Sequence, residues 1–277
     1  MTKLQDFEWT TDENVHIHAQ KWLPEGEVSS VIIMVHGLGE HIARYDHVAR
    51  FFNDQNIAFY GSDHQGHGKS SGKRGHIAGN QVFISEIDKI IDIARNENPN
   101  KPIFLYGHSL GGNMVLYYTL KRKPQIKGII CTSPGLGVGT PVPPAKLFMA
   151  KIMKSLLPSL TLDNGLDVNN LSHNPEVIKE YQEDPLVHPM ISAKLAMDMF
   201  SNGDWTIENA ANWDTPLLLM VGTNDHTVSQ DKIKQFVANV PKNFITFKPF
   251  PGLYHELHNE YESNQVLSTI FEWMNKQ

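Results

Sequence analysis

The sequence predicts an α/β protein with a mostly parallel central sheet, helices on both faces and an inserted helical cap. Three observations predict it. Short apolar runs rich in β-branched residues recur along the chain, as strands buried on both faces require. Stretches of helical periodicity separate them. The alternation then breaks between Ser133 and Asn212, where no convincing buried strand is found.

The elements follow in order. Residues 15–22 alternate like a strand after the polar turn Thr11-Asp12-Glu13-Asn14, and residues 7–9 pair with them as an antiparallel edge. Buried strands are expected at 31–35, 57–60, 103–106, 128–132, 217–221 and 244–247. Helices are expected at 44–53, 82–96, 111–121, 229–240 and 260–275. Right-handed crossovers would put the functional loops at the carboxyl ends of the strands. The whole chain, 1–277, reads as a single domain with the cap at 134–210. The cap opens on a Gly/Pro-rich run and contains an amphipathic helix at 145–157. Phe148, Ile152 and Leu156 line one face of it, beside Met149 and Met153.

Composition removes several classes. The 277 residues carry 40% hydrophobic and 19% charged side chains, an ordinary globular balance. The net charge of -6 and pI near 6.1 argue against nucleic-acid binding, which rests on basic patches. Lys121-Arg122-Lys123 reads as the basic last turn of a helix. Cys131, the one cysteine, sits in an apolar run as a buried small hydrophobe. The polar start is unlike a signal peptide and no apolar stretch reaches membrane-span length, so a cytoplasmic protein is expected. Fourteen histidines raise a metal site, but no HExxH helix or cysteine pair accompanies them. They are read as structural or solvated, with no metal and no cofactor.

The chemistry concentrates in Gly107-His108-Ser109-Leu110-Gly111, a G-x-S-x-G motif between a buried strand and a helical run. That context turns an ordinary glycine turn into a nucleophile elbow, which lifts the serine hydroxyl clear on a strained turn. A serine needs a base oriented by a third group, and this elbow places them in the order serine, acid, histidine. Asp225 follows the strand at 217–221, and His255 follows the Gly252 turn. His258 rivals His255 but is expected on the following helix. An oxyanion needs amide donors. The Leu110 N–H is one, and Leu38, in His36-Gly37-Leu38-Gly39-Glu40-His41, is the other candidate.

At these residues the chain resembles the monoacylglycerol lipase (monoglyceride lipase) family, serine hydrolases of the α/β-hydrolase superfamily close to lysophospholipases. The similarity runs from about Phe7 to the C-terminal helix. It includes the His36–His41 block with Arg44-Tyr45, Asp63-His64-Gln65-Gly66-His67-Gly68, the elbow, Gly222-Thr223-Asn224-Asp225 and Tyr254-His255-Glu256-Leu257-His258. The resemblance implies the α/β-hydrolase fold and a Ser109/Asp225/His255 triad. It also implies that Glu40, Arg44 and His258 line a pocket for the glycerol moiety. Cysteines that vertebrate relatives carry near the cap are absent here. The expected reaction is monoacylglycerol hydrolysis to fatty acid and glycerol through an acyl-serine. A lysophospholipase, a general carboxylesterase or an idle ligand-binding protein of the same fold are the rivals. The helix at 145–157 either meets a lipid surface transiently or packs on the sheet. No oligomeric state is assigned.

Overall fold

The computed structural model describes residues 2–277. Strands β1 (Lys3–Thr10), β2 (His16–Leu23), β3 (Ser30–Val35), β4 (Ile57–Ser62), β5 (Ile103–His108) and β6 (Gly128–Thr132) are joined by β9 (Leu217–Gly222) and β10 (Ile245–Phe250) in one eight-stranded sheet. Its order is β1-β2-β4-β3-β5-β6-β9-β10. The β1–β2 and β2–β4 pairs are antiparallel, and from β4 to β10 every pair is parallel. This is the arrangement of the α/β-hydrolase fold.

Period-two alternation sends each strand's side chains into two cores. Val31, Ile33, Leu105, Leu217 and Leu219 pack with α2 (Asn80–Glu97), α3 (Leu110–Arg122) and α7 (Gln230–Asn239). Ile32, Met34, Tyr106, Leu218 and Met220 pack on the other face with α1 (Asp46–Asn53) and α8 (Ser263–Met274). Both faces are therefore dry, which is why these strands read as unbroken apolar runs. Cys131 is fully buried in β6, and burial raises its thiol pKa.

Several boundaries differ from expectation, each for a physical reason. β10 continues through Pro249 to Phe250 rather than ending at Phe247. It is an edge strand, so a proline lacking its N–H breaks no ladder bond there. The last helix begins at Ser263, because Leu257–Asn259 forms a separate 3-10 turn. His258 lies on that turn and not on the helix.

Between β6 and β9 lie α4 (Pro144–Leu156), β7 (Thr161–Asp163), α5 (Pro175–Glu183), β8 (Met190–Ser192) and α6 (Ala193–Asn209). β7 and β8 form a short antiparallel pair that the sequence reading lacks. Asn113 Nδ2 joins α3 to this segment, donating to the carbonyls of Gly135 (2.9 Å) and Met199 (3.0 Å). Among the described residues no helix is long and apolar enough to cross a membrane.

Candidate active site

Three strand ends bring the predicted residues together. Ser109 sits between β5 and α3 with φ 53 and ψ -114, a strained backbone for a residue with a side chain. Its glycine neighbours make the turn possible. A Cβ on Gly107 would lie 2.5 Å from the Gly111 carbonyl oxygen, and one on Gly111 would lie 1.9 Å from that of Val35. Strand and helix can close only without those side chains.

His255 Nε2 is 2.9 Å from Ser109 Oγ, and its Nδ1 is 2.8 Å from Asp225 Oδ2. Asp225 Oδ1 accepts the N–H groups of Thr227 (2.8 Å) and Val228 (3.2 Å), which fixes the carboxylate plane. Burial disfavours a charged Asp225, but the adjacent His255 and the two amides outweigh it, and its pKa is lowered. Burial likewise disfavours a charged His255. The Asp225 carboxylate, with Glu256 and Glu40 behind it, outweighs burial and raises its pKa. A histidine so placed can take a proton from the serine hydroxyl and hold the resulting charge.

Leu110 follows Ser109 directly, and Leu38 follows Gly37, whose Cβ position would lie 3.3 Å from Ser109 Cβ. Among the described residues neither backbone N–H has an acceptor within the protein. The Ser109 carbonyl is held by Gly135 N–H at 2.9 Å.

Glu40 and Arg44 are also brought together, in a buried charge network with Glu256, and His258 is buried beside it against Tyr45. Arg44 donates to Glu40 Oε2 at 2.6 Å and is bidentate to Glu256 at 2.9 and 2.8 Å. Its guanidinium also lies over the Tyr181 ring, 4.7 Å from the centroid. Burial, then the neighbouring His108, keep His258 neutral. Its ring stacks on Tyr45 at 4.8 Å and stands 4.9 Å from His108. Neither of its nitrogens has a partner among the described residues.

Two members of this site escaped the sequence reading. Glu256 faces Arg44 across 212 positions, a pairing no local pattern reveals. Ser133 Oγ donates to the His255 carbonyl at 2.9 Å from a left-handed backbone, φ 45. His64 and His67 are buried structural histidines, as read, rather than solvated.

A family model described as serine aminopeptidase, S33, matches residues 26–262. The chain is 32% identical to a monoacylglycerol lipase of Mycolicibacterium smegmatis, over 94% of this chain and 93% of that one. It is 34% identical to the Paleococcus ferrophilus monoacylglycerol lipase crystal structure, with a TM-score of 0.83 and 98% of each chain covered. It is also 35% identical to an uncharacterized abhydrolase domain-containing protein of Dictyostelium discoideum, over 95% of this chain, and spans only 28% of that relative's length. Fold, elbow and relatives together define a serine ester hydrolase of the α/β-hydrolase superfamily. Within that class, the chain belongs to the monoacylglycerol lipase family.

Proposed function

We propose that this protein hydrolyses monoacylglycerols to free fatty acid and glycerol, with Ser109 as nucleophile. The observation that carries the reading is the unbroken hydrogen-bonded chain from Asp225 through His255 to Ser109. His255 Nε2 takes the Ser109 proton as Oγ attacks the ester carbonyl. The Leu38 and Leu110 amides receive the developing oxyanion. His255 then returns the proton to the leaving glycerol oxygen, and water repeats the cycle on the acyl-serine.

Glu40, Arg44 and His258 form the wall that meets the glycerol head. Support comes from the two unpartnered nitrogens of buried His258, which suit a ligand hydroxyl. All four carboxylate oxygens of Glu40 and Glu256 already accept hydrogen bonds from Gly37 N–H, Tyr45 OH, Arg44 or Asn259, so none is left open to an incoming amine. That favours a neutral polyol over the α-ammonium of a peptide.

The segment 134–210 acts as the cap, and α4 is its contact with a lipid surface. No residue of α4 is buried; Phe148 is 64% and Leu156 72% exposed. Lys146 and Lys151 stand exposed among them, the layout of a helix lying in an interface.

The test is a substrate panel of monooleoylglycerol, lysophosphatidylcholine, p-nitrophenyl butyrate and an aminoacyl anilide, run beside labelling by a fluorophosphonate. The expected ranking puts monooleoylglycerol first and the anilide last, with labelling at Ser109 alone. Preference for lysophosphatidylcholine would move the reading to a lysophospholipase. His258→Ala should weaken use of the glycerol ester by roughly 1–3 kcal/mol and spare p-nitrophenyl butyrate.

A further inference from the structure

Two successive peptides of the loop after β3 have their polar groups held by buried side chains, with one exception. In the first, the His36 carbonyl faces His64 Nε2 at 3.3 Å, and the Gly37 N–H donates to Glu40 Oε1 at 2.6 Å. In the second, the Gly37 carbonyl faces His36 Nδ1 at 2.8 Å. The exception is the Leu38 N–H, which has no acceptor among the described residues.

The tautomer of His36 follows from its surroundings. The His64 backbone N–H donates to His36 Nε2 at 3.1 Å, so a neutral ring carries its proton on Nδ1 and must donate to the Gly37 carbonyl. Burial, with His64 and His67 beside it, keeps the ring neutral. The clamp is itself anchored. Tyr45 OH donates to Glu40 Oε1 at 2.7 Å, Arg44 holds Oε2, and Glu86 Oε2 faces His64 Nδ1 at 3.0 Å. Gly37 lies between the clamp and the nucleophile. A Cβ there would come within 2.7 Å of Glu40 Oε1 and 3.3 Å of Ser109 Cβ.

We propose that His36 and Glu40 are positioning residues that aim the Leu38 N–H at the oxyanion formed on Ser109. In a trans peptide the C=O and N–H point in opposite directions. By drawing the Gly37 carbonyl inward, His36 turns the Leu38 N–H outward, and Glu40 stops the preceding peptide from rotating to relax it. A donor fixed in this way needs no reorganisation as charge develops. Glu40 thus anchors the oxyanion loop in addition to bordering the pocket. The inference rests on the Ser109 and Leu38 assignments above.

Glu40→Ala and His36→Phe each release one peptide, and p-nitrophenyl butyrate, which has no glycerol, reports on the loop alone. Displacing a reacting group by about 1 Å costs roughly 100-fold. Both variants should therefore lose about 30- to 100-fold in kcat on p-nitrophenyl butyrate and on monooleoylglycerol, with KM for the former within about twofold. Inhibition by butylboronic acid, which forms a tetrahedral adduct on the serine, should weaken to the same extent. Glu40→Gln keeps an oxygen for the Gly37 N–H and should recover most of the loss, and it serves if Glu40→Ala loses its cooperative melting. A raised KM for monooleoylglycerol alone, with kcat unchanged, would overturn the assignment and leave Glu40 a pocket wall. So would equal losses in Glu40→Gln and Glu40→Ala. Ser109→Ala separates the two levels: activity surviving it would sink the nucleophile reading itself. Its loss alongside unimpaired Glu40 and His36 variants would sink only the positioning role.

Discussion

Helices α3 and α4 are each 13 residues long, both rich in leucine, methionine and aromatic side chains, and they meet opposite fates. Nine residues of α3 are buried, and it lies against β5 and β6 with Ser109 at its N-terminus. α4 buries none, and among the described residues its only side-chain polar tie to another element is Lys154 to Asp198 of α6, in the same inserted segment, at 2.7 Å. Apolar content alone therefore does not decide burial; what decides it is whether a partner surface is present. Exposed apolar area costs about 25 cal/mol per Å2 against burial, and α4 carries that cost at Phe148, Met149 and Leu156. α3, mostly buried, holds Ser109 at its N-terminus, whereas α4 leaves its large apolar side chains facing water.

The comparison can be broken at its strongest point first. Among the described residues Ser109 Oγ bonds only His255, so Ser109→Ala should leave the melting temperature unchanged while lowering ester hydrolysis on the order of a millionfold. His255→Ala should match it. More than about a hundredth of wild-type activity in Ser109→Ala would mean another nucleophile. Asp225→Asn comes next, at about 10⁴-fold in kcat, by analogy with a protease triad. It also carries a signed pH effect. The Asp225 carboxylate raises the His255 pKa and base catalysis needs the neutral ring, so activity falls as pH drops through that pKa. Removing the carboxylate charge must move this acid limb of kcat/KM to lower pH. A limb that stays put, or moves up, would contradict the pairing.

Stability should separate the two helices. Leu116→Ala in α3 empties a fully buried position and should cost roughly 2–5 kcal/mol in denaturant unfolding. Phe148→Ser and Leu156→Ser in α4 should change it by less than about 0.5 kcal/mol, since both side chains already face water. The smallest effect is functional. The same two α4 substitutions should lower the rate on aggregated long-chain monoacylglycerol several-fold and leave a soluble short-chain ester untouched. Equal losses on both substrates, with a lowered melting temperature, would show that α4 packs rather than docks.

Legibility in the sequence follows the same division. β3, β5, β6 and β9 could be read because strands buried on both faces lack polar interruptions. The elbow could be read because its glycines answer a steric demand within five residues. Asp225 and His255 followed from the order of strand ends. The Arg44–Glu256 pair, the clamp of His36 and Glu40 on Gly37, and the placement of His258 on a 3-10 turn were beyond reach. Each depends on orientation across the fold, and periodicity carries no such information. β7 and β8 were missed because three-residue strands have too few positions to show alternation. For α4 the sequence left docking and packing equally open, and its apolar stripe gave no clue to which way it faced.

The separation of the site along the chain bears on how the enzyme is made. Ser109 and His255 are 146 positions apart, and Arg44 and Glu256 are 212 apart. The elbow follows β5 and the loop carrying Leu38 follows β3. The base is delivered only after β9 and β10 have extended the sheet beyond β6. A chain cut before β9 would therefore hold the serine of the site without the histidine that Ser109 Oγ bonds.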